Sequence, residues 1–412
     1  MDATYDTRYK YNSATQAFTI SGYSGSLPIS IQNMPEEELG GVYGSGDGSL
    51  ALISYAKEAT SGSISGLSGA SSSIFLTRNS RYGFAANQVS HVLTVFSPSG
   101  GSSLALSLPG VYRVSVNPGG SVALAFVQNS NYAYYVRQLS TAQSIAYSGG
   151  SSTWPQGAQD CEPMNAPSWC LFQMQSPDGT PVAFDRPVKA VFSADGSTAY
   201  ILNCGPECGG TASSVSVLPT APLIFLQGQS SGSLPATDNV TTIPVPGGAS
   251  NALVASSTMY VVGQQMQSDG LFTGNLTLLN LTNGTAGSPI SISDGTPGGP
   301  SRLLLADDNT LWIGMTKCNN GERFATGQAY GCLTMFNTSS NTVTMLEPYL
   351  GDLTGIAWVQ GLHKIYVAQG GQVYIYSTTD GSAINNQYVT VKGTAWDVAY
   401  MDATTDGNNT VY

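Results

Sequence analysis

One unit recurs along this chain, and its recurrence constrains the fold more than any other feature. Residues 188–218 hold an alternating stretch, VKAVFS, a polar turn, ADGS, a second apolar stretch, TAYILN, and after a loop a third, SSVSVL. Period-two alternation with β-branched and aromatic residues marks half-buried strands, and Asp-Gly marks the turn between them. The same order returns at 29–54, 72–97, 111–138, 250–281, 300–337 and 353–377, and in part at 395–412. A short β-prone piece, such as SGSISG, TTIPVP or QYVTVKG, precedes most units. That makes four strands per repeat, A to D from the centre outward, at a period of roughly 40–55 residues.

A four-stranded repeat cannot bury both faces alone, so neighbours must stack, which predicts an all-β chain forming a single β-propeller over 1–412. Eight units are counted; seven remain if 17–48 is decoration. The last unit stops after its third strand. The stretch DTRYKYNSATQ, residues 6–16, reads as the outer strand that would complete it beside 409–412. Such closure removes a long unpaired edge.

The segment FSADGSTAYILN followed by SSVSVL resembles the YVTN-type β-propeller repeat, a strand–Ala/Pro-Asp-Gly–strand pattern ending in Tyr-Val-x-Asn before an alternating strand. The resemblance extends over most of the chain, closely only at 188–218; Pro-Gly replaces Asp-Gly at 118–119 and Asn-Ser at 79–80. It implies a secreted or surface-attached bacterial or archaeal protein, and it implies no particular activity.

Composition narrows the partners. Charged residues make up 9% of the chain, against about 25% in average soluble proteins. Solubility therefore rests on Ser, Thr, Asn, Gln and the 48 Gly. The net charge is −11 and Lys and Arg form no cluster along the sequence, so nucleic acid and anionic membrane surfaces are poor partners. No apolar run reaches the ~20 residues of a membrane-spanning helix. The first residues, MDATYDTRYKYNSATQ, hold no hydrophobic signal region; an exported form would have lost its leader.

The six cysteines fall into three short-range couples, Cys161 with Cys170, Cys204 with Cys208 and Cys318 with Cys332. Their loop-like surroundings predict three disulfides and an oxidising compartment. Zinc would want tight Cys-x-x-Cys pairs or nearby His; the two His, His91 and His363, stand beside no cysteine. Cys204-Gly-Pro-Glu-Cys208 is one residue longer than a thioredoxin-type dithiol. No helix follows it to lower a thiol pKa, so it reads as a staple.

Long loops at 204–213, 263–273 and 318–331 leave consecutive units at the same strand junction, and strand parity puts them on one face. The insertion 139–180 is expected on the opposite face. The three loops present Glu207, Met266, Asp269, Phe272, Asn319, Asn320, Glu322, Arg323 and Tyr330 as a candidate binding patch. His91 and His363 lie near no Gly-x-Ser-x-Gly elbow, and DATTDGNN (402–409) lacks the spacing of an EF-hand. No catalytic residue, metal ligand or cofactor site is therefore expected. The reading is a non-enzymatic extracellular scaffold that binds a protein, a cell-wall polymer or copies of itself. The alternative is a lactonase-like propeller hydrolase with a metal or carboxylates in a central channel.

Overall fold

The computed structural model describes residues 82–97, 103–139, 158–162, 168–224, 240–268, 270, 272–293, 299–306, 308–316, 330–345, 349–359, 363–370 and 372–384, and the strands Tyr9–Asn12, Ala17–Ile20, Leu39–Tyr43, Leu50–Ser54, Ala59–Ile64 and Ser73–Leu76. Within these residues the chain is all-β, built from antiparallel pairs. Seven sheets of three to five strands follow in chain order, numbered here 1 to 7: residues 39–64, 73–107, 111–173, 187–244, 251–291, 299–350 and 353–377.

The first strands of successive sheets lie side by side. Val111–Val116 of sheet 3 packs against sheet 2 and against Pro187–Phe192 of sheet 4; Asn251–Ala255, Gly299–Leu305 and Leu353–Val359 continue the series. Sheets that meander outward from neighbouring inner strands are arranged as the blades of a β-propeller are. Each contact between neighbours is a separate apolar core. Phe84, Leu93 and Leu106 of sheet 2 meet Val114, Val136 and Trp169 of sheet 3. Phe126, Tyr135 and Phe172 of sheet 3 meet Ile201 and Leu218 of sheet 4. Leu202 and Val215 meet Met259, Val261 and Leu279; Val262 and Leu276 meet Ile313 and Phe336; Trp312 and Leu333 meet Ile365 and Val367.

The second strand of each unit shows why the sequence reads as it does. In Thr198–Asn203, Ala199 and Ile201 serve one core while Tyr200 and Leu202 serve the next. A strand buried on both faces must be apolar through its middle, which Ala199–Leu202 of TAYILN is. The turn before it is fixed by Asp195, whose carboxylate accepts from Ser193 Oγ (2.6 Å) and Ser197 N (3.1 Å). Gly196 supplies the left-handed backbone at φ 69°.

Several expectations change. The short β-prone piece does not open its unit at the centre. Thr241–Pro244 pairs with Ser214–Pro219 and ends the preceding sheet, so the long first strand of each unit is innermost. An inner strand sits between two neighbours and needs apolar side chains on both faces, which TTIP cannot supply. The 139–180 segment is not only a loop. Its Ala158–Glu162 and Trp169–Gln173 are the outer strands of sheet 3, with Trp169–Gln173 paired to Ala133–Gln138. Tyr9–Asn12 is a strand and pairs with Ala17–Ile20. Residues 409–412, its expected partner, and the eighth unit lie outside the described residues.

Candidate binding face

With the strands relettered, the loops at 204–213 and 263–273 still share a face, because both join second to third strands. The connections that lead into each inner strand share that face too, since strand direction alternates. The connection that follows the 139–180 segment, through Asp185 and Arg186, therefore arrives beside loop 204–213.

That loop is held at every corner. Cys204 bonds to Cys208 across a single 3-10 turn, Gly205–Cys208. Gly205 has φ 62°, and a Cβ there would lie 2.4 Å from Ser213 N, so the two ends of the loop touch backbone to backbone. Only glycine fits such an approach. Asp185, from the incoming connection, accepts from Thr211 N (2.9 Å), Ala212 N (2.6 Å) and Thr211 Oγ1. Burial pushes its carboxyl up, but these hydrogen bonds outweigh that and leave it below the usual range. Arg186 donates to Gly209 O and to Asn129 O in sheet 3.

Glu207 reaches the next sheet. Its two carboxylate oxygens accept from Gln264 N (2.9 Å) and Gln264 Nε2 (2.9 Å). Burial pushes its carboxyl up, and the Gln264 bonds pull against this. Glu207 is thus a bracket between loops, not a free ligand group. Met266 ends strand Thr258–Met266 at 54% exposure, with half-buried Phe272 opposite it in register. Tyr330 opens strand Tyr330–Asn337, opposite Leu350. Asp269, Asn319, Asn320, Glu322 and Arg323 lie outside the described residues.

The staples form as expected where they are described. Cys161 bonds to Cys170 across paired strands. Cys332 is disulfide-bonded, and its expected partner, Cys318, lies outside the described residues. Of the two His, His91 occupies a left-handed turn position (φ 61°), and His363 Nδ1 lies 3.8 Å from Asp308 Oδ2. No cluster of three or more His, Cys, Asp or Glu able to hold a metal occurs among the described residues. No helix among them is long and apolar enough to cross a membrane.

The same face carries a feature absent from the sequence reading. The inner strands of sheets 3, 4, 6 and 7 each carry a β-bulge near their start, between Val111 and Arg113, Pro187 and Lys189, Pro300 and Arg302, and Leu353 and Gly355. A bulge re-aims the side chain that follows it. The residues that follow are Arg113, Lys189, Arg302 and Gly355, so three cations take equivalent places. Each inner strand also grips the next: Tyr112 Oη donates to Val188 O (3.1 Å), Lys189 Nζ to Asn251 Oδ1 (2.8 Å) and Arg302 Nε to Thr354 O (2.6 Å). The Arg113 guanidinium lies 5.6 Å from the Tyr112 ring centroid.

The three cations feel one another. Desolvation, then Arg113 and Arg302, bring the Lys189 ammonium down to about 7. Desolvation also lowers Arg113, with Arg302 adding to it and Tyr112 opposing. All three side chains keep some exposed surface. The expected absence of any Lys/Arg cluster holds along the sequence and fails in space.

No family model matches the sequence, and no curated protein matches it. Among solved structures, Kuenenia stuttgartiensis hydrazine synthase aligns over 74% of this chain and 76% of its own, at 13% identity and a TM-score of 0.48. The dihydro-heme d1 dehydrogenase NirN aligns over 88% and 76%, at 10% identity and 0.44. The Cps50 (Swd1) β-propeller domain of Myceliophteria thermophila aligns over 86% and 84%, at 9% and 0.39. Likeness at this level says nothing of activity, ligand or partner.

Proposed function

We propose that this chain is a non-enzymatic extracellular scaffold, a YVTN-like β-propeller of seven or eight blades whose N-terminal strand completes the last one. It binds a partner at the cell surface through the face bearing loops 204–213, 263–273 and 318–331. The observation that carries this reading is the bracing of loop 204–213 by a disulfide, by Asp185 and by Glu207, which joins it to Gln264 of the next sheet. A loop fixed before binding loses less entropy on binding. Exposed Met266 beside this braced loop supplies the apolar centre that interface cores favour. Disulfides persist in oxidising compartments, which supports an extracellular site.

The test removes the face without touching the sheets. Met266→Lys is combined with replacement of 319–329 by a tight turn, and three quantities are followed: unfolding midpoint, sedimentation of the purified chain, and retention on cell envelopes of the source. The expected result is a folded variant that has lost self-assembly or envelope retention by at least tenfold. A folded variant that assembles and is retained like the parent would reject the face. Lactone or ester turnover abolished by chelation would move the protein to the hydrolase class.

A further inference from the structure

We infer that Arg113, Lys189 and Arg302 form a binding site for a small, multiply charged oxyanion at the starts of the inner strands. The three lie at one structural position in three sheets, placed there by the same bulge. They are three of only 14 Lys and Arg in a chain of net charge −11, so their convergence is not a by-product of a basic composition. Neither Arg113 nor Lys189 has a carboxylate partner among the described residues. The strands packed about that of Lys189, namely Val111–Val116, Ala123–Val127, Thr198–Asn203 and Asn251–Ala255, contain no Asp, Glu or His, and neither does Gly299–Leu305, which carries Arg302. The charged groups that act on it are Arg113 and Arg302; the titratable side chains on the packed strands are Tyr112, pushed up to about 12 by burial, and Tyr200, raised by burial and by Asp195.

Like charges held together at desolvated strand starts repel, and a divalent or trivalent anion relieves that repulsion at Arg113 and Lys189. Two guanidinium forks favour planar or tetrahedral oxygen arrays over a monatomic ion such as chloride. Burial and its cationic neighbours depress Lys189, so its charged form is half present at about pH 7 and fully present only well below it. An anion restores the charged form. Binding is therefore tightest below that pH and weakens as pH rises through it, with a proton taken up on binding above it.

The experiment uses the full chain with sulfate, which does not titrate between pH 6 and 9, and with citrate, against chloride at equal ionic strength. Calorimetry should show one site per chain, at least tenfold weaker at pH 9 than at pH 6. Lys189→Met with Arg113→Met should lose it by roughly ten- to hundredfold, the worth of a charge-assisted hydrogen bond. Asn251 Oδ1 also accepts from Ala252 N, so it keeps a partner in that variant, and the unfolding midpoint without anion should not fall. Lys189→Arg keeps the charge and should bind within about threefold of the parent, which separates charge from packing. Absence of sulfate and citrate binding at millimolar concentration, equal binding by chloride, or unchanged binding in the double variant would each overturn the assignment.

Discussion

Replacing Gly263 with valine is expected to destabilise the protein by on the order of 4 kcal/mol, at the far end of what single substitutions do. A Cβ at Gly263 would lie 2.3 Å from Gly248 C and 2.4 Å from Ala249 N, and one at Gly248 would lie 2.4 Å from Gln264 N. Two backbones therefore touch with no side chain between them. Gly248 also sits at φ 94°, where other residues are strained. The touching segment leads into the inner strand of sheet 5 and is tied to the stapled loop by Val245 N donating to Ser213 O (2.9 Å). No flexible side-chain end can give way, so one backbone must move, and either movement breaks this tie or the Ser250 N to Val262 O bond (2.9 Å). Equilibrium denaturation checks this, with Gly263→Ala as the milder case. An alanine variant within about 0.5 kcal/mol of the parent, the range of ordinary surface changes, would show that the close approach is not there.

Trp312→Ala carries the second large effect, about 3–5 kcal/mol. The indole is fully buried in the core between sheets 6 and 7, its ring 6.4 Å from that of Tyr376. Its Nε1 donates to Thr310 Oγ1 at 2.9 Å, so truncation leaves both a cavity and an altered polar group. Because each core joins only two neighbouring sheets, the cavity cannot be filled from elsewhere. Trp312→Phe should recover at least half of the loss, since most of the buried surface returns. Equal losses for Ala and Phe in denaturant titrations would place the indole hydrogen bond, not packing, in control.

Much of the architecture is legible in the sequence because it is periodic. After their opening Thr, TAYILN, TMYVVG and TLWIGM hold runs of at least three consecutive apolar residues, and each proves to be a second strand buried on both faces. Which strand is innermost is not legible. TTIPVP looks equally able to begin one sheet or end another, and only pairing decides. In the binding face, the staple at Cys204 and Cys208 is visible as spacing, whereas the role of Glu207 is not. An acidic residue in a polar loop reads as exposed until Gln264, 57 residues on, is seen to meet both its oxygens. The cation cluster did leave a trace. VYRV and PVKA place Arg or Lys third in the inner strand, and GPSRL places Arg fourth. Scanning for runs of charge along the chain misses residues brought together by repetition; aligning the repeats by their strand starts finds them.

The central claim is that the binding face is built before any partner arrives. Native-state amide hydrogen exchange at Thr211, Ala212 and Gln264 tests it most directly. These amides donate to the carboxylates of Asp185 and Glu207, and none of the three is held there by strand pairing to its own loop. The account predicts that all three exchange at least a hundredfold slower than in an unstructured peptide, and that Glu207→Ala releases Gln264. Exchange at the rate of a free loop would contradict it.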